Sequence, residues 1–441
     1  RKAFPMWSGT PWQERVTLLR KVAELIEERL YTLGAAMSLE VGKNRMEALG
    51  DVAETSDLIR FACDQLEENN GFIIEMGKDP VAGFDIRNIS VLRPYGVWLV
   101  ISPFNFPAAL TGGPVGAALA AGNSVVMKPA TDTPWLVHML AECFRDAGLP
   151  DGVVNFVTGS GRTLGQALID SPEVDGVTFT GSFDVGMKIY RDFANGKYVR
   201  PIILELGGKN PTIVSRHADL NQAAAGIIRS AFGLQGQKCS ACSRVFVEES
   251  VYDELIARMV KITNNIVVGD PTDQAVWMGP VINQSAYQDY QGFVQELSAV
   301  GTILTGGKVV KEGKMSNGFF CTPTLAVDVP IEHRLWKHEM FLPITTISKV
   351  SSLDEAMTHA NDVNYGLTAG FYGSEAEVNW FFKNIQAGVT YANRPQGATT
   401  GAWPGYQPFG GWKGSGSSGK NAGGHHYLQL YMHEQIRTQV K

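Results

Sequence analysis

Between residues 97 and 204 the chain alternates, and that rhythm restricts its fold more than any other feature. Short apolar runs at 97–101, 124–127, 153–157, 176–179 and 202–204 are separated by helical stretches at 107–121 and 134–147 and from 162 and 182 onward. Strand following helix following strand builds a parallel sheet, and ligands of such sheets gather beyond the carboxyl ends of the strands. A second α/β unit is expected from about 207 to about 400. Ahead of the alternation, Leu18, Leu19, Val22, Leu25, Ile26 and Leu30 recur at helical spacing, and a second helix is expected over 46–68. Thr10-Pro11-Trp12-Gln13 has the pattern of a helix start: a threonine cap, proline at the first helical position and glutamine three after the cap. Residues 86–94 and 427–440 read as strands, and the Gly/Ser run 414–419 as a surface loop.

At 441 residues the chain is long enough for two or three domains. Its 44% hydrophobic and 19% charged residues are those of a soluble globular protein. A net charge of -6 without any basic block argues against nucleic acid as a partner, and no uninterrupted apolar run reaches membrane-spanning length. Five cysteines, an odd number, point to a reducing compartment, hence the cytoplasm, rather than to a disulfide framework. The start at Arg1, without methionine, reads as truncated, so a targeting peptide lost upstream is an open alternative.

Two segments carry chemistry. Phe232-Gly233-Leu234-Gln235-Gly236-Gln237-Lys238-Cys239-Ser240-Ala241-Cys242-Ser243-Arg244 puts a thiol after a glycine- and glutamine-rich turn. Backbone N–H groups converge at such a turn, which is expected to lower the thiol pKa and favour a nucleophilic thiolate. Leu204-Glu205-Leu206-Gly207-Gly208-Lys209-Asn210-Pro211 holds a carboxylate between apolar residues and a Gly-Gly turn. Burial there raises its pKa and suits it to act as a base. Cys239 and Cys242 form a Cys-x-x-Cys pair, but no second pair and no spaced histidines complete a metal site, and no metal is expected.

Together the Gly-Gln-x-Cys and Glu-Leu-Gly-Gly-Lys-x-Pro elements resemble the aldehyde dehydrogenase superfamily, and the resemblance runs from Phe4 to about Val440. It implies an α/β fold: a Rossmann-like parallel-sheet dinucleotide-binding domain over 1–75 and 95–206, with 411–426 returning to it. A second α/β catalytic domain would cover 207–410, and a β-strand oligomerisation arm 76–94 and 427–441. It implies Cys239 as nucleophile, Glu205 as hydrolytic base and Asn105, in Ile101-Ser102-Pro103-Phe104-Asn105-Phe106-Pro107, as oxyanion donor. NAD or NADP is the implied cofactor, over Ile101, Ser102, Pro103 and Phe104. Lys128 would meet the adenosine ribose, beside Ala130 and Thr131. Many members carry a glutamate where Thr131 stands, an acid that repels a 2′-phosphate, so NADP stays open.

Gly159-Ser160-Gly161-Arg162-Thr163-Leu164-Gly165 is one residue too long for the dinucleotide fingerprint, although Gly161 and Gly165 are retained as candidates. Phe179-Thr180-Gly181-Ser182 ends a strand and opens a helix, a better seat for a pyrophosphate. The resemblance puts Gly181 and Ser182 at the phosphates, and Thr180 and Leu206 beside the cofactor. Glu339 and Phe341, in His338-Glu339-Met340-Phe341-Leu342-Pro343, would hold the nicotinamide ribose, with Leu342 replacing the usual glycine.

Within the superfamily, the run from Cys239 to Arg244, Thr400-Gly401-Ala402 with Gln407-Pro408-Phe409-Gly410-Gly411, and Ala422-Gly423-Gly424 resemble the 1-pyrroline-5-carboxylate (L-glutamate γ-semialdehyde) dehydrogenases. The implied substrate is then a small aldehyde with an α-carboxylate, held by backbone N–H groups at Gly401 and Ala402 and by Ser240. Phe106 and Phe409 would flank its chain and Glu54 would meet its α-amine. Trp403-Pro404 is bulkier than that subfamily leads one to expect. The alternatives are another small semialdehyde or aliphatic aldehyde and, from a different class, a non-catalytic structural homologue. Retention of Cys239, Glu205 and Asn105 argues against the last. A homodimer or higher homo-oligomer is expected from the strand arm.

Overall fold

The structure is a computed structural model that describes residues 1–81, 83–398 and 403–440. Its first sheet has five parallel strands, in spatial order Val154–Phe156, Ser124–Lys128, Val97–Ile101, Gly176–Thr180 and Ile202–Glu205. The order reverses beside the Val97–Ile101 strand, which lies between the strand that follows it in sequence and the fourth. A crevice opens beyond the carboxyl ends at such a reversal. Ile101, Lys128, Thr180 and Glu205 are each the last residue of their strand, so chain topology alone carries them to one edge.

Helices cover this sheet because their apolar residues recur on one face. The Ala109–Ala121 helix is built almost wholly of small residues and is buried throughout except at Leu110. Small side chains allow close approach of two helix axes. Added Cβ atoms at Gly112, Gly113 and Gly116 would fall 2.3, 2.8 and 2.7 Å from Thr55, Leu58 and Ile59 of the Arg45–Glu68 helix. The Arg45–Glu68 helix begins with Asn44, whose side chain accepts from the Glu47 amide. The first helices differ from expectation. Phe4–Gly9 is already helical, and Thr10 Oγ1 donates to the Met6 carbonyl at 3.1 Å instead of capping the next helix, Trp12–Glu28, which follows Pro11 with no side-chain cap. The preceding helix needed that hydroxyl, and a local pattern does not reveal such competition.

The second sheet has seven strands, in order Thr302–Thr305, Thr324–Val327, Ile344–Val350, Cys242–Glu248, Asn210–Val214, Thr368–Tyr372 and Val389–Ala392, parallel except for the first pair. Both chemical segments lead into it, since Glu205 to Asn210 joins the two sheets and Cys239 precedes the Cys242–Glu248 strand. A third, antiparallel sheet places Ile86–Pro94 between Ile73–Glu75 and Met432–Val440. Its last strand begins later than the sequence pattern implies. Leu428–Tyr431 is a short 3-10 turn, and Tyr427, Leu428 and Tyr431 are buried in the first core.

The Gly/Ser run is not a simple surface loop. Ser415 is fully buried; its Oγ donates to the Gly207 carbonyl at 2.7 Å and accepts from the Gly366 amide at 3.0 Å. Ser417 Oγ accepts from Leu204 N at 2.9 Å, and Gly416 bridges Glu205. The run straps the open edge of the first sheet beside Glu205.

Candidate active site

One pocket, about 930 Å³ of empty space with its mouth included, joins the two chemical segments. Cys239, Ser240, Glu205, Leu206, Thr180, Phe106, Phe409 and Glu54 all line it, with apolar walls from the Arg45–Glu68 and Ala109–Ala121 helices and from residues 422–428. These residues span most of the chain, and the two sheets gather them. Gly401 and Ala402 lie outside the described residues.

The thiol sits on a contorted turn. Leu234, Gln235 and Gly236 all have positive φ, 50°, 57° and 68°. Non-glycine residues in that region cost roughly 1–3 kcal/mol each, so the surroundings must hold them there. Leu234 N donates to both oxygens of half-buried Glu47, at 2.9 and 3.1 Å, and Gln235 Nε2 to the Gly42 carbonyl at 2.7 Å. Gln237 Oε1 accepts from Ile282 N at 3.0 Å. Gly236 tolerates nothing larger, because an added Cβ would lie 2.3 Å from the Leu342 carbonyl oxygen. Asn105, buried on the loop after Val97–Ile101, donates Nδ2 to the Gln237 carbonyl at 3.0 Å, two residues before the thiol. Its second amide hydrogen remains for another acceptor.

That loop is itself pinned. Ala109 N donates to Asp51 Oδ1 at 2.7 Å, Asp51 Oδ2 pairs with Lys43 Nζ at 2.8 Å, and both charged groups are fully buried. Lys43 Nζ stands 3.7 Å from the centre of the Phe106 ring. The sequence reading missed Glu47, Lys43 and Asp51. The helix was expected from Met46, and helical spacing does not show what the Glu47 carboxylate reaches beyond it.

Electrostatics favours neutral forms. Burial pushes the Cys239 thiol up to about 12, the charges of Glu339 and Glu205 add to that, and the amides of Ser240 and Cys239 oppose it. The expected lowering is therefore not found, because burial and two carboxylates outweigh the converging N–H groups. Burial raises Glu205 well above its ordinary value, and its Oε2 has no partner among the described residues. Burial also pushes Glu339 up to about 7, against a 2.7 Å hydrogen bond from Gly208 N. Lys209 and Lys238, both buried, are pushed down to about 7 and about 8.

The crevice beside the thiol suits a dinucleotide. Ser102 Oγ is buried and unpartnered there. Ser182 precedes the Phe183–Ala194 helix without spending its side chain on a cap bond, and Gly181 N is held by the Glu205 carbonyl at 3.1 Å. Lys128 is buried at its strand end, donating to the Pro129 carbonyl at 3.0 Å, and an added Cβ at Gly165 would lie 3.6 Å from its side chain. Gly161–Gly165 forms one π-helical turn, and Ala130 and exposed Thr131 follow the Lys128 strand end. Ile101, Ser102 and Pro103 lead to Phe104, whose ring meets Phe341 edge-on at 5.8 Å, and Phe341 has a φ of 55°. Among the described residues no group of three or more His, Cys, Asp or Glu side chains is arranged to hold a metal.

Comparison with known proteins follows the same lines. The model of the aldehyde dehydrogenase family matches residues 1–436. A 1-pyrroline-5-carboxylate dehydrogenase of Geobacillus sp. (strain WCH70) is 40% identical over 437 residues, 98% of this chain and 82% of the relative. The structure of a Thermus 1-pyrroline-5-carboxylate dehydrogenase with bound NAD superposes with a TM-score of 0.93 at 34% identity, covering 99% of this chain and 83% of that one. An E. coli NADP-dependent enzyme gives a TM-score of 0.91 at 31% identity, over 100% of this chain and 88% of its own.

Proposed function

The chain belongs to the aldehyde dehydrogenase family, and from that premise we propose that it oxidises L-glutamate γ-semialdehyde, the open form of 1-pyrroline-5-carboxylate, to L-glutamate with NAD or NADP. One observation carries the reading: Cys239 and Glu205 line a single pocket, with Asn105 hydrogen-bonded to the turn that bears the thiol. The relatives named for this activity support the substrate.

In the proposed sequence the thiol gives up its proton to water and Cys239 Sγ bonds to the aldehyde carbon. The carbonyl oxygen becomes an oxyanion between Asn105 Nδ2 and the Cys239 N–H, donors fixed before the reaction begins. Ser102, Lys128, Gly181, Ser182 and Glu339 would hold NAD or NADP in the crevice, where it would supply the hydride acceptor. Loss of hydride from the adduct restores the carbonyl as a thioester on Sγ. Glu205 then takes a proton from water, the water oxygen adds to the thioester carbon, and cleavage of the C–S bond releases the acid and returns the sulfur. A hydrolytic carboxylate in the pocket disfavours transfer to coenzyme A.

Substrate discrimination tests the reading. Donors at Gly401, Ala402 and Ser240 would hold the α-carboxylate, Phe106 and Phe409 the chain, and Glu54 the amine. Pentanal offers no carboxylate to accept from these donors, and a hydrogen bond to a charged group is worth about 1.5–3 kcal/mol, so kcat/KM is expected to favour the semialdehyde on the order of a hundredfold. Equal efficiencies would remove the glutamate assignment and leave a general aldehyde dehydrogenase. We further propose a homo-oligomer assembled through the antiparallel arm, working in the cytoplasm. Its five unpaired cysteines suit a reducing compartment, and no helix among the described residues is long and apolar enough to cross a membrane.

A further inference from the structure

Asn210, at the start of the Asn210–Val214 strand, is buried and has every part of its carboxamide engaged. Nδ2 donates to the Cys239 carbonyl at 2.6 Å and to the Ala241 carbonyl at 2.9 Å, while Oδ1 accepts from Thr368 N at 2.9 Å. Three strands of the second sheet therefore meet on one side chain: its own, the one that follows the nucleophile, and Thr368–Tyr372. Gly208 closes the other side, because an added Cβ there would lie 2.3 Å from the Cys239 oxygen and 2.8 Å from Asn210 Oδ1.

The Cys239 carbonyl and the Ser240 N–H belong to one peptide unit. That unit is planar and trans, so its C=O and N–H point in opposite directions. Whatever fixes the oxygen aims the hydrogen, and the Ser240 amide is one of the two that lower the Cys239 thiol pKa against the rise that burial imposes. We propose that Asn210 is a positioning residue for the nucleophile: by holding the Cys239 carbonyl it turns the Ser240 N–H onto Cys239 Sγ, where it stabilises the thiolate. Asn210 does not line the pocket and acts through the 239–240 peptide. The inference rests on Cys239 being the nucleophile. It also accounts for the carboxamide, since a shorter hydroxyl cannot reach two carbonyls and an amide on opposite sides.

The test is the pH dependence of Cys239 alkylation by iodoacetamide in the full chain, followed by mass of the Cys239 peptide and by loss of aldehyde oxidation. Asn210→Ala is expected to move the alkylation profile up by about one pH unit, roughly a tenfold loss of reactivity at fixed pH. Oxidation is expected to recover in part at alkaline pH, with dinucleotide affinity unchanged. Should the alanine variant fail to fold, Asn210→Asp keeps the shape. Its protonated form still donates to the Cys239 oxygen, whereas its ionised form repels it, so its alkylation rate should fall below wild type increasingly as the side chain ionises. An alkylation profile superimposable on wild type in a folded variant, with oxidation reduced equally at every pH, would overturn the proposal and leave Asn210 a structural residue. A wild type that keeps full oxidation after complete Cys239 alkylation would instead overturn the nucleophile assignment itself.

Discussion

Burial favours the protonated form of both groups assigned to the reaction, and this governs how the activity should respond to pH. Glu205 is raised well above its ordinary value and Cys239 to about 12. Each must lose its proton to act, so activity should fall as pH falls and rise toward alkaline pH, with the hydrolytic step titrating above the usual carboxylate range near 4.5. Glu205→Gln should leave a rapid burst of reduced coenzyme followed by a steady rate slower by about 10²–10⁴. Its steady phase should lose that pH dependence, and stopped-flow absorbance reads both phases. A burst that falls together with the steady rate would remove Glu205 as the hydrolytic base. Cys239→Ala should abolish oxidation and leave coenzyme affinity by calorimetry within about twofold; turnover within about tenfold of wild type, ~1.4 kcal/mol of transition-state stabilisation, would remove the thiol. The identities of Cys239, Glu205 and Asn105 were legible because each sits in a distinctive local run. The acidity of the thiol was not, because Glu339 and burial by several elements set it, and a local run of residues carries neither.

At the scale of elements, apolar runs located the strands of the first sheet to within a residue or two, since a buried parallel strand is apolar on both faces. Polar side chains that serve a distant segment were misread. Thr10 was taken for a cap of the following helix and bonds the preceding one. Ser415 was taken for part of a solvated loop and is a strap between Gly207 and Gly366. Glycine and serine in alternation are equally suited to solvent and to close packing, and composition does not choose between them. Ser415→Ala is expected to cost about 1–3 kcal/mol, because it strands the Gly207 carbonyl and the Gly366 amide in a buried site. Urea unfolding measures that loss, and release of Gly207, two residues after Glu205, should slow the Glu205-dependent steady phase more than the burst. An unchanged midpoint would show that the strap contributes nothing.

For the whole molecule, the arm sheet matters most. Its outer strands, Ile73–Glu75 and Met432–Val440, have no further neighbour among the described residues, and Ile74 and Ile436 are more than half exposed. Open strand edges with apolar side chains invite pairing with another chain. Light scattering at micromolar concentration is therefore expected to give a dimer or larger, and Ile436→Lys should shift the population toward monomer. A wild-type monomer would count against assembly through the arm. The same sheet also imposes an order in time. Ile86 pairs with Val440, and Asn88 is bonded to Thr438, 350 residues further on. A ribosome adding about 5–20 residues per second needs roughly 20–70 s to cover that interval. Throughout that wait Ile86–Pro94 has only its short hairpin partner, so the nascent chain carries a half-covered strand until Met432–Val440 has been made. The arm is thus the interval in which a chaperone has most to protect.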